Sequence, residues 1–132
     1  MRLNPTVDDI LSSTHVKDIP VASTATVYSA SFAFGNAEYF SLDYKATSDG
    51  VVGLKIELEQ GNAVPATEGS ASTDWAEAEN AQDIESALAD ETQHLKKISP
   101  VVSKYGRLKI TGVGSNDAST TLRAKLVRQE EA

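Results

Sequence analysis

Cysteine is absent from the 132 residues, which removes disulfides, thiolate metal sites and cysteine nucleophiles without choosing a compartment. Long apolar runs are absent too, and no stretch approaches the ~20 residues of a membrane-spanning helix. The opening MRLNPTVDDILSST holds one early Arg, and Asp8 and Asp9 interrupt its few apolar residues. It has no apolar segment of signal-peptide length, so the sequence predicts a soluble protein made without a cleaved leader. Asn4-Pro5-Thr6 carries Pro in its middle position and fails as a glycosylation sequon. Lys and Arg are missing between Glu57 and Glu91, a span holding ten acids, whereas from Lys96 to Arg128 eight bases stand against Asp117 alone. The net charge of -7 disfavours nucleic acid and anionic membrane as partners, because both repel it at long range. Blocks of opposite sign separated in this way meet within one fold or between identical subunits.

What is present is period-two alternation. In TATVYSASFAF the large residues Tyr28, Phe32 and Phe34 share one phase with Ala30, as in a strand with one buried face. In YFSLDYKATSDGVVGLKIELEQG, Phe40, Leu42, Tyr44 and Ala46 point one way, and Val52, Leu54, Ile56 and Leu58 repeat the pattern. Read as a hairpin, the pair takes a three-residue Ser48-Asp49-Gly50 loop, which sets Tyr44 opposite Leu54 and Leu42 opposite Ile56. Residues 60–80 form a long acidic loop and a candidate contact surface. Its Trp75, the chain's single tryptophan, either plugs the core edge or serves as a binding hot spot. Residues 81–97 suit a helix or two short strands, about 83–88 and 93–99, folding back at Asp90-Glu91-Thr92; the surrounding β pattern favours strands. The last two strands turn Leu108 and Ile110, then Thr120, Leu122, Ala124 and Leu126 inward, and like-phase pairing puts Ile110 opposite Leu122 and Leu108 opposite Ala124. The sum is an all-β antiparallel sandwich, jelly-roll-like, of about seven to eight strands. Residues 1–21, with Pro5 and Pro20 and no sustained period, read as an N-terminal arm or an irregular edge segment beside a single domain at 22–132.

Few chemical readings survive. Gly112-Val113-Gly114 resembles a phosphate cradle, but such a cradle leads into a helix, and STTLRAKL reads as a strand. His15 and His94 are far apart and lie in no ligand-spaced cluster, and the Asp and Asn of SNDAS lack the pattern of a calcium loop. GVGSND lacks the Gly-x-Ser-x-Gly elbow, and the many paired acids are those of a solvated surface. The expectation is no enzyme, no cofactor and no resident metal. The sharpest feature left is basic: the proposed pairing gathers Arg107, Lys109, Arg123 and Lys125 on one face of one hairpin. That face is either a solvated, aggregation-deterring surface or a docking site for an acidic partner, such as the 57–91 block of another copy.

The stretch ISPVVSKYGRLKITGVGSNDASTTLRAKLVRQE, with Tyr105, Arg107 and LKITGVGSN, together with the 39–61 segment, resembles small β-sandwich virion proteins of tailed bacteriophages and prophages. The resemblance implies a head decoration or cement protein, or a neck or tail component. It also implies capsid or tail proteins and copies of itself as partners, location in the virion after synthesis in the host cytoplasm, a homo-oligomer, and no catalytic residues. The competing reading is a carbohydrate-binding jelly roll using Tyr39, Trp75 and Tyr105 as a platform; the chain has three Phe, four Tyr and one Trp, several of them in inward phase.

Overall fold

The computed structural model describes residues 3–9, 19–22, 24–35, 39–48, 53–64, 69–79, 81–88, 91–98, 100–113 and 119–131. Among them the regular elements are all strands: β1 (Leu3–Asp9), β2 (Ile19–Ala22), β3 (Thr26–Tyr28), β4 (Phe32–Ala33), β5 (Tyr39–Ser48), β6 (Gly53–Gly61), β7 (Glu85–Leu88), β8 (His94–Lys97), β9 (Tyr105–Val113) and β10 (Ser119–Glu131). β1 and β2 both pair with β10, and β3 and β4 both pair with β9. Ten segments therefore fill eight positions. Numbered in chain order, those positions run 1-8-3-6 in one sheet, here sheet I, and 2-7-4-5 in the other, sheet II. This is the strand order of a jelly roll, in which every pairing is antiparallel and successive positions alternate between layers except 4 and 5, which pair with one another.

The inward phases follow the sequence. Leu42, Tyr44, Leu54, Ile56, Leu108, Ile110, Leu122 and Leu126 are fully buried between the sheets, and burying each such aliphatic side chain contributes roughly 1.5–3 kcal/mol. Phe34 packs edge-on against Phe32 and Phe40, with centroids 5.6 and 4.8 Å apart. The phenol of Tyr44 would be an orphan in this core, and it donates instead to Glu85 Oε1 at 2.6 Å. Lys96 Nζ stands 3.1 Å from the same oxygen. This chain of contacts ties β5 and β8 of sheet I to β7 of sheet II.

The pairings differ from those read in the sequence. β5 and β6 form no hairpin: Tyr44 lies opposite Ala124 and His94, while Leu54 lies opposite Gly112 and Leu88. Nor do β9 and β10 pair, since Ile110 faces Val27 and Ile56, and Leu122 faces Ala46 and Ile19. In both cases the chain crosses from one sheet to the other. Alternation places a residue inside whether its neighbour in sequence is in the same layer or the opposite one, so phase survives where register fails. The loop residues 49–50 and 114–118 lie outside the described residues.

Residues 81–97 hold the two strands, β7 and β8, but these too belong to different sheets. The segment read as an arm or irregular edge contributes β1, an edge strand of seven residues in register with β10 from Leu3↔Glu131 to Asp9↔Lys125. The expected boundary at residue 21 falls inside β2, whose Val21 is fully buried. Finally, Tyr28 does not share the inward face of Phe32 and Phe34. The strand breaks at Ser29, which is fully buried: its N–H donates to the Leu108 carbonyl (2.9 Å) and its hydroxyl accepts from the Leu108 N–H (2.8 Å). Val27 takes the inward place, opposite Ile110, and Tyr28 turns outward.

Candidate functional site

The four cations expected on one hairpin face separate. Arg107 and Lys109 alternate with the buried Leu108 and Ile110 on β9, so they project from the outer face of sheet II. Arg123 and Lys125 alternate with Leu122, Ala124 and Leu126 on β10 and project from the outer face of sheet I. The two pairs therefore stand on opposite sides of the sandwich.

Arg107 is not on the surface at all. Its relative exposure is 0 %, because the 69–79 segment folds back over the outer face of sheet II. Nε donates to Glu59 Oε1 at 2.9 Å, and Nη1 donates to the carbonyl of Ser70 at 2.7 Å. Nη2 stands 2.9 Å from the same Glu59 oxygen without hydrogen-bond geometry. The guanidinium carbon lies 4.1 Å from the Tyr28 ring centroid and 5.1 Å from that of Trp75. A cation taken out of water needs such partners, and Arg, planar and weakly hydrated, stacks on rings while its edge stays hydrogen-bonded.

Trp75 is 4 % exposed and plugs rather than presents, which removes it both as a partner-binding hot spot and as a member of an aromatic glycan platform. Its indole N–H donates to the Ala63 carbonyl at 3.0 Å. The ring rests on Gly61, where an added Cβ would lie 2.9 Å from it. Backbone hydrogen bonds in both directions between Gln60 and Ala76, 2.8 and 3.1 Å, hold the segment on the β6 edge. The buried side chain of Gln60 completes the join: its amide donates to the Pro100 carbonyl, and its oxygen accepts from the Val102 N–H and the Ser103 hydroxyl. Sequence reading passed over Gln60. The available signal was Gly61, a glycine on the outward phase of a strand, which marks a close approach of other chain.

Beside this roof the carboxylates of Glu57, Glu77 and Asp83 come within 4.8 Å of one another. Desolvation pushes the Glu77 carboxyl above its ordinary range, and the negative charges of Glu57 and Asp83 add to the shift. Lys55, 3.7 Å from Glu57, works in the opposite direction on Glu77. These are the described residues whose oxygens are spaced to share a cation, and hard oxygen ligands suit Ca²⁺ or Mg²⁺.

The outer face of sheet I has a different character. Lys45, Thr47, Gln93, Thr121 and Arg123 line a polar groove of ≈ 450 Å³. Lys45 and Arg123, both exposed, are direct cross-strand partners. Lys125 instead lies opposite Asp43 on β5 and, in register, opposite Asp9 on β1. The Gln93 amide donates to Asp43 and fixes one wall. His94, the described member of the histidine pair, is half-buried and stacked on Tyr44 at 5.3 Å, a structural place. His15 and the loop considered for calcium lie outside the described residues, as does the side chain of Tyr39.

No family model, no curated protein and no solved structure matches this chain.

Proposed function

We propose that the chain is a non-enzymatic structural protein of a bacteriophage virion. In this reading it is made in the host cytoplasm and built into the particle as a head decoration or cement subunit, or as a neck or tail component, where it meets capsid or tail proteins and copies of itself. The observation that carries the reading is the inequality of the two outer faces. Sheet II is roofed by its own 69–79 segment, with Trp75 and Arg107 sealed beneath it. Sheet I leaves a polar, cation-bearing groove uncovered by any described residue. A subunit gripped by neighbours needs one such open face and a rigid body behind it. The likeness of the YGRLKITGVGSN and 39–61 segments to phage β-sandwich proteins supports the same role.

The test is composition of the particle. Virions purified from a host carrying the gene, banded by density and analysed by mass spectrometry, should contain the protein at a fixed copy number per particle. Absence from the particles, with retention of the purified protein on glycan columns, would overturn the reading in favour of a carbohydrate-binding module.

A further inference from the structure

We infer that the groove on sheet I, centred on Lys45 and Arg123, docks the acidic patch of Glu57, Glu77 and Asp83 on a second copy of this chain. The inference rests on the assembly reading above and names the partner surface.

Lys45 and Arg123 face one another directly across β5 and β10. Both are exposed, and their arrangement around a groove with hydroxyl and amide walls suits a carboxylate-bearing occupant. The patch is opposite in sign: it gathers three carboxylates within 4.8 Å, with Lys55 3.7 Å from Glu57 at its margin. It sits on β6 and the chain between β6 and β7, on the sheet II side of the sandwich.

Groove and patch therefore lie on different sides of one molecule. They cannot meet within a copy, and two copies joined this way present a free groove at one end and a free patch at the other. Contacts of this kind are heterologous and grow into closed rings or open filaments according to the rotation per step. Charge complementarity sets the orientation: patch against patch, or groove against groove, places like charges together.

Sedimentation velocity on the full chain tests this. The wild type should associate reversibly at low ionic strength and dissociate at about 1 M salt, where the Debye length is about 3 Å. Lys45→Glu with Arg123→Glu, and separately Glu77→Lys with Asp83→Lys, should each lower the association constant at least about tenfold. Mixed together, the two double variants should associate again, because each then offers the surface that the other has lost. That recovery also shows that both variants fold. A wild type that stays monomeric at low salt, double variants that associate like the wild type, or a mixture that fails to recover would each overturn the proposal. A protein present in virions but monomeric in solution sinks the docking surface alone; one that self-associates but is missing from virions sinks the virion role alone.

Discussion

Among the described residues, Arg107 is the charged side chain that is fully buried. A basic residue in the outward phase of a strand reads as solvated, and reversing it to Glu looks like a probe of a docking surface. The structure makes such a change a test of packing, since it would bury an acid against Glu59. Arg107→Ala should lower stability by about 3 kcal/mol, by leaving Glu59 and the Ser70 carbonyl without their donor, as measured by urea unfolding; Lys should recover only part, lacking the planar fork that reaches both acceptors. Glu77 gives a prediction of opposite sign. Its folded pKa is raised above the unfolded value, so its contribution to stability is fully present below the unfolded pKa and is lost as pH rises through the folded one. Glu77→Gln should therefore stabilise the protein slightly at neutral pH, solvent screening keeping the gain small, and the gain should vanish as pH falls below the carboxylate range. Denaturant titrations at two pH values decide it.

At the scale of elements, strand existence and facing were legible from β5 onward and partnership was not. Leu42, Tyr44, Leu54, Ile56, Leu108, Ile110, Leu122 and Leu126 all point where their alternation says, because burial on one side of a pleated strand leaves a period-two trace. The hairpins drawn from Tyr44↔Leu54 and Ile110↔Leu122 failed because the connections from β5 to β6 and from β9 to β10 each change sheet. A crossing leaves the same trace as a turn. The candidate site suffered for the same reason: the expected cluster of four cations depended on β9 pairing with β10. The short β8, the outer strand of sheet I, carries Lys96 and Lys97, a common guard against edge-to-edge pairing. Gly106 tests the packing between elements. A Cβ there would lie 2.7 Å from Phe34 and 2.8 Å from Phe32, so Gly106→Ala should cost roughly 1–3 kcal/mol through displaced rings, seen as a lowered melting temperature.

Across the whole molecule, the jelly-roll order makes nearly all contacts non-local, with β1 seated on β10 at the far end of the chain. Closing such loops before any pairing is rewarded is slow, and stopped-flow refolding should fall in the ms–s range typical of β-sandwiches. Removing residues 1–22 should leave one edge of β10 open and take Val21 from the core; light scattering should then rise with concentration. The roof over sheet II carries a consequence for how unfolding is observed. Trp75, the sole tryptophan, is a fluorophore placed outside the main apolar interior, against Gly61 and Arg107. Its emission therefore reports detachment of a peripheral flap, whereas the far-ultraviolet signal reports the sandwich. If the two traces part on heating, with the red shift arriving first, the protein melts in two layers from the outside in, and a fluorescence midpoint taken alone would understate the durability of the body beneath.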